Sequence, residues 1–387
     1  FLNNRINGSL EIYWNTTKDL LMAVPVDNTT GYSYQFQNFG KTSNRGIELS
    51  LNFDVINKGD FRFNIGAIYN YNRNKLDELP NADQYLYSSY WGSSSLVPTN
   101  DYMFVEGKAI GLVRGFVSEG FYTVNDFRYE NGQYILKEGI PDITKALTAT
   151  YMHPFNIPNG QTAFPGAAKF RDVNNSGTVD LDDATCLGEV MPRHTGSFQL
   201  NFNYKNFDLS SNFNGTAGGK VYNVAAMINA SGQEFDGIGA QRTSWVADTY
   251  KVYNVNSSGD LYAVTDPNEL NALNANAKYH LPYHQSGITS SEWLEDGSYL
   301  RLQTLTLGYT LPHTVLNKIH IEKLRIYLTA TNLFTITGYS GIDPEVNATP
   351  TGQSGFYSNL RVFPTLNMDF GTYPRARTFT LGGNITF

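Results

Sequence analysis

From Gly46 to Val55 the chain alternates apolar and polar side chains. Ile47, Leu49, Leu51, Phe53 and Val55 fall in one set, and Glu48, Ser50, Asn52 and Asp54 in the other. A period of two is that of a β-strand, whose successive side chains point to opposite faces. After Asn57-Lys58-Gly59-Asp60 the alternation returns, with Phe61, Phe63, Ile65, Ala67, Tyr69 and Tyr71 in phase, so the pair predicts a hairpin. Phe198, Leu200, Phe202 and Tyr204, a Lys205-Asn206 turn, then Phe207, Leu209 and Phe213 predict a second. Further strands are expected over 6–14, 299–311, 324–331 and 378–387. Within 299–311 the apolar phase slips between Leu302 and Leu305, a slip that a one-residue bulge would restore. Residues 110–122 give a ninth candidate, interrupted by Arg114 and several glycines.

Such strands are apolar on one side and wet on the other, and a tilted strand of roughly 9–11 residues crosses a bilayer. Some connections are two to four residues long, whereas others run over roughly 75–109, 123–195, 217–297 and 335–372. Soluble domains rarely carry such loops, but outer-membrane barrels join tight turns on the inner side to long excursions outside. The pattern therefore predicts an all-β fold, a transmembrane antiparallel β-barrel with about nine strands in this chain and long extracellular loops. A large soluble β-sandwich would alternate in the same way and is the competing architecture.

Composition sharpens that choice. Among 387 residues, aromatics make 14% and charged residues only 16%, well under the roughly 25% charged of soluble domains. Aromatic girdles and a neutral polar lumen account for both. No apolar run reaches about 18 residues, so any crossing must be by strands. The net charge of −7 and the lack of a dense basic cluster exclude a nucleic-acid footprint. The start at Phe1, without a basic and apolar leader, is expected to lie inside a longer chain.

Two loop segments carry candidate chemistry. Asp172, Asn174, Ser176, Thr178, Asp180 and Asp183 have the spacing of a calcium loop at positions one, three, five, seven, nine and twelve, with Gly177 at the sharp sixth position. The same residues also make an Asx-rich turn with no metal. Tyr85, Tyr87, Tyr90 and Trp91 could stack on a substrate, or pack the loop on itself. His280 and His284 have a helical ligand spacing, but Pro282 between them breaks a helix. No nucleophile elbow, paired-cysteine motif or phosphate loop is present, so no catalytic residues are assigned and no enzyme activity is expected.

Six stretches, in order, resemble one family. They are Asn38 to Leu51 with Thr17-Lys18-Asp19-Leu20-Leu21 before it, the acidic loop from Pro165 to Asp183, and Leu294 to Pro312. Thr329 to Phe334, Gly341-Ile342-Asp343-Pro344-Glu345 and Tyr373-Pro374-Arg375-Ala376-Arg377 complete the series. Together they resemble the SusC/RagA-type TonB-dependent transporters of the Gram-negative outer membrane. The resemblance implies that residues 1–387 are the C-terminal portion of a 22-stranded barrel, without the plug and N-terminal domains. It implies TonB-dependent import of oligomeric nutrients, a SusD-like surface lipoprotein as lid, and the TonB complex as a partner of the missing N-terminal region. Where the family's external loop carries Asp or Asn plus Asp, this chain has Asn175-Ser176. Inward residues that are mostly Asn, Ser, Thr and Gln, with scattered Glu, Asp and Arg, favour oligosaccharide cargo, with oligopeptide the alternative. A structural or adhesive barrel without import is the reading from a different class.

Overall fold

The computed structural model describes residues 5–25, 27, 29, 31–32, 34–38, 40–79, 84–87, 96–148, 153–231, 243–281, 287–316, 321–346, 366–369 and 371–387. Its frame is one eight-stranded antiparallel sheet. The strands are β1 (Ile6–Lys18), β2 (Lys41–Lys58), β3 (Phe61–Glu78), β4 (His194–Tyr204), β5 (Phe207–Ala217), β6 (Tyr299–Thr310), β7 (Lys323–Thr337) and β8 (Thr378–Thr386). Each pairs with the next in chain order, the meander that closed barrels require.

The register carries the two-faced pattern across the sheet. Leu10, Leu49 and Tyr69 sit side by side in one row, and Ile12, Ile47, Tyr71 and His194 in the next. This face is open, with Leu10 62%, Ile12 75% and Leu381 76% exposed. Apolar side chains that project this far from a finished sheet belong to a surface covered by something other than water. The opposite face carries Asn7, Ser9, Glu11, Ser50, Asn52 and Asn70.

The eight strands expected from their alternation, one of them with a phase slip, all lie in this sheet. The ninth candidate does not. Residues 110–122 divide into two short strands, Leu112–Gly115 and Ser118–Phe121, which pair within separate small sheets. Arg114 and Gly115 interrupt the alternation where that division falls. β2 and β3 also run beyond the apolar stripe, to Lys41 and Glu78, because their polar ends keep pairing above it. The hairpin turn shortens to Gly59-Asp60, with Gly59 in the left-handed region at φ 57°. A register shift between Asp54 and Ile56 pairs Ile56 with Phe63, so Ile56 replaces Val55 in the outward row. The expected slip in β6 is present, between Leu302 and Thr304.

Between strands, the long excursions fold around cores of their own. One cluster includes Phe116, Tyr122, Tyr134, Phe164, Tyr250 and Leu270, all nearly or fully buried. A second joins Leu76 of β3 and Leu79 just after it to Tyr102, Tyr222, Trp293 and Met368. Buried hydroxyls are matched to acceptors: Tyr122 donates to the Pro141 carbonyl at 2.7 Å, Tyr134 to Thr265 at 2.8 Å and Tyr102 to Leu366 at 3.0 Å. Leaving any of these unmade would cost roughly 1–3 kcal/mol. Among the described residues no helix is long and apolar enough to cross a membrane.

Candidate functional site

The polar face of the sheet is a wall of amides and hydroxyls that bond to one another. Asn64 donates to Asp54 at 2.9 Å, Asn74 to Asn44 at 3.2 Å, and Thr306 and Thr329 share a bond of 2.9 Å. Tyr13 lies across its cross-strand neighbour Gly46, where an added Cβ would collide with the phenol ring, and its hydroxyl reaches Asn72 at 3.2 Å. The result is a surface rich in neutral donors and acceptors.

Among the described residues two ion-paired groups punctuate this wall, beside the scattered carboxylates of Glu11, Glu48 and Asp54. Near the short turns, Arg325 of β7 reaches across β6 to Asp208 of β5 at 2.9 Å. Gly308 stands between them, and a Cβ there would come within 2.6 Å of both carboxylate oxygens, so only glycine leaves room for the pair. At the long-loop end, Arg301 is 2% exposed and holds Asp343 at 2.5 Å, Glu345 at 2.9 Å and Thr335 at 2.9 Å. Arg375 closes the group onto Glu345 at 2.8 Å. Two guanidinium groups and two carboxylates thus tie the segment after β7 to β6 and to the approach to β8. The alternation of β6 gave one sign of this, since Arg301 is a charge in an otherwise neutral row, but its carboxylate partners lie some 40 residues on and spacing does not reveal them.

The acidic loop is a self-bonded turn. Asp172 accepts from the amides of Ser176 at 3.1 Å and Gly177 at 2.7 Å, and Asn174 accepts from Ser176 at 2.8 Å. The Ser176 hydroxyl donates to the Thr178 carbonyl at 2.8 Å. Gly177 takes φ 87°, the sharp turn expected at the sixth position. Asp180 caps the Asp182 amide at 2.8 Å. Asp183 is wholly buried and accepts from the amides of Val173, Asn174 and Asp180 at 2.7, 3.2 and 2.8 Å, so it ties the two ends of the loop together. Among the described residues no group of three or more His, Cys, Asp or Glu is placed to hold a metal ion.

The aromatic segment divides. Tyr87 is 4% exposed and stacks on Phe104 at 4.7 Å, so this ring packs the second loop core and is not open to a cargo molecule. Tyr85 belongs to the same strand, Gln84–Tyr87. Tyr90 and Trp91 lie outside the described residues, as does His284. His280 is buried, with Nδ1 at 2.6 Å from the Leu281 carbonyl and Nε2 at 3.8 Å from Glu292. Burial pushes the Glu292 carboxyl above the usual carboxylate range, opposed by the neighbouring imidazole.

No established family profile matches the chain. Its sequence is similar to TonB-dependent receptor P3 of Formosa agariphila, with 29% identity over 385 residues that take in 100% of this chain and 33% of the relative. It is also similar to TonB-dependent receptor SusC of Bacteroides thetaiotaomicron, at 25% identity over 100% of this chain and 31% of the relative. The chain therefore spans about a third of the length of these relatives. Among solved structures, that of the RagAB peptide transporter superposes with a TM-score of 0.65 and 21% identity, covering 100% of this chain and 34% of the other.

Proposed function

We propose, from the premise that this chain is the C-terminal barrel portion of a SusC/RagA-type TonB-dependent receptor, that the whole protein imports oligomeric nutrients across the outer membrane. The largely neutral polar face of the eight-stranded sheet, on which Glu11, Glu48 and Asp54 are scattered charges, is the observation that carries this reading. A water-filled passage lined by Asn, Ser, Thr and Gln offers many weak, exchangeable hydrogen bonds, which let a hydroxylated solute enter and leave. Rings of one charge would select an ionic cargo instead. Oligosaccharide is therefore the favoured cargo. A SusD-like lipoprotein would cap the long-loop side, and TonB would supply energy through a region outside this chain. Of the loop aromatics, Tyr85, Tyr90 and Trp91 stay with the cargo reading.

Uptake of labelled oligosaccharides and oligopeptides by cells carrying the full-length protein tests the proposal. Oligosaccharide uptake is expected, lost on deletion of the gene and reduced by Trp91→Ala at normal protein levels. Uptake of peptide alone would overturn the cargo assignment, and uptake of neither would favour a barrel that does not import.

The acidic loop fits a calcium ion in part. Asp172, Asn174 and Ser176 face one turn and Thr178 adds a carbonyl, the oxygen set a hard cation takes. Asp172, Asn174, Asp180 and Asp183 all accept from backbone amides within the loop and would first have to loosen those bonds, so we infer weak binding that stiffens an external loop. Calorimetric titration of the full-length protein with calcium should give heat that disappears in Asp172→Ala. No heat from the unaltered protein contradicts the assignment.

A further inference from the structure

The register places Arg45 of β2 directly opposite Arg73 of β3, and both are exposed. They belong to the apolar, outward set: Arg45 follows Phe53, Leu51, Leu49 and Ile47 along β2, and Arg73 follows Ile65, Ala67, Tyr69 and Tyr71 along β3. Trp14, opposite Arg45 on β1 and 66% exposed, lies under its guanidinium at 3.6 Å. Like charges directly opposite on a sheet destabilise it. Nearby basic residues are neutralised, Lys75 by Asp77 at 3.1 Å, Lys41 by Glu78 at 2.8 Å and Arg193 by Glu189 at 2.6 Å. Among the described residues no carboxylate forms an ion pair with Arg45 or Arg73.

Their height on the wall says what would neutralise them. From Phe61 at the short turn to Arg73, at about 3.4 Å per residue and a tilt of about 45°, β3 rises roughly 28 Å along the membrane normal. An apolar band of about 25 Å ends there. The pair therefore stands at the long-loop rim of that band, on the face away from the lumen, directly above Ile12, Ile47 and Tyr71. A free anion or a cargo molecule would have no use for the apolar row beneath, whereas a lipid fills both parts, its acyl chains on the row and its phosphate between the guanidinium forks.

We propose that Arg45 and Arg73, with Trp14 stacked on the first, bind the phosphate groups of outer-leaflet lipids and hold a lipid on the barrel wall. The inference rests on the outer-membrane reading of the chain. It is tested on the full-length protein reconstituted into vesicles of digalactosyldiacylglycerol, a bilayer lipid without phosphate, containing either a phosphorylated outer-leaflet glycolipid or the same glycolipid after enzymatic removal of its phosphate. Protein repurified in mild detergent is analysed by native mass spectrometry for retained lipid. The unaltered protein should retain the phosphorylated form over the dephosphorylated one by about tenfold or more. That preference should vanish in Arg45→Gln/Arg73→Gln and survive in part in Arg45→Lys/Arg73→Lys, and millimolar inorganic phosphate should leave it unchanged. Equal retention of the two glycolipids by the unaltered protein overturns the proposal, without need of any variant. So does an undiminished preference in the double glutamine variant, or displacement by inorganic phosphate. Failure of the unaltered protein to insert into either vesicle would instead overturn the outer-membrane reading, and this inference with it.

Discussion

Leu51 and Asn52 are neighbours in β2, yet their pairing partners differ in kind. Leu51 stands between Gly8 and Ala67 on the apolar face, and Asn52 between Asn7 and Gly66 on the polar one. A charge on the lipid side of a barrel near the midplane costs about 2–4 kcal/mol, whereas a lumen position keeps its water. Leu51→Arg is therefore expected to lower the unfolding free energy in detergent–lipid mixtures by about that amount, and Asn52→Arg by far less. Equal losses at the two sites would contradict the assigned faces. Tyr87 teaches a different lesson at this scale. Its phenol is one of four aromatic residues in a short loop segment, and composition alone does not distinguish a ring offered to a ligand from one packed on Phe104.

At the scale of the element, the strands were legible because each has one buried or lipid-covered face and so a period of two, interrupted only by the bulges in β2 and β6. The limits of 110–122 were legible in part, as the interruption at Arg114 marks where pairing passes to other sheets. The small sheets and two cores of the excursions were not. Their strands are two to five residues long, too short to show a period, and several pair across large separations, as in Gly287–Ile288 with Leu96–Val97. The clamp of Arg301, Asp343, Glu345 and Arg375 has the same origin, since the motifs holding its members were visible but their meeting depends on the sheet. Removing one partner of a buried ion pair leaves the others uncompensated, at a cost of about 3–5 kcal/mol. Arg301→Met should destabilise the protein by about that much in denaturant unfolding. Replacing Asp343 and Glu345 by Leu in the same chain should recover a large part of the loss. No recovery would show that Arg301 acts through packing alone.

For the whole molecule, every functional statement rests on which face of the sheet meets lipid. The sheet is an open ribbon of eight strands with an apolar outer face, a polar inner face and folded excursions gathered at one end, and likeness to the RagAB structure over the full chain gives the same fold. The lumen wall, the clamp at its long-loop end and the arginine pair on its outer rim are all placed by that single orientation. The most direct test is a spin-label scan of β2 from Ile47 to Ile56 in the full-length protein in lipid, with Cys186 first replaced by Ser because its thiol is free and exposed. Collision rates with oxygen, which partitions into lipid, and with a water-soluble nickel chelate should alternate out of phase. Oxygen should be favoured at 47, 49, 51 and 53, and again at 56 after the register shift. Labels shielded from both reagents at those positions would place the apolar face inside a stacked sandwich and contradict the account.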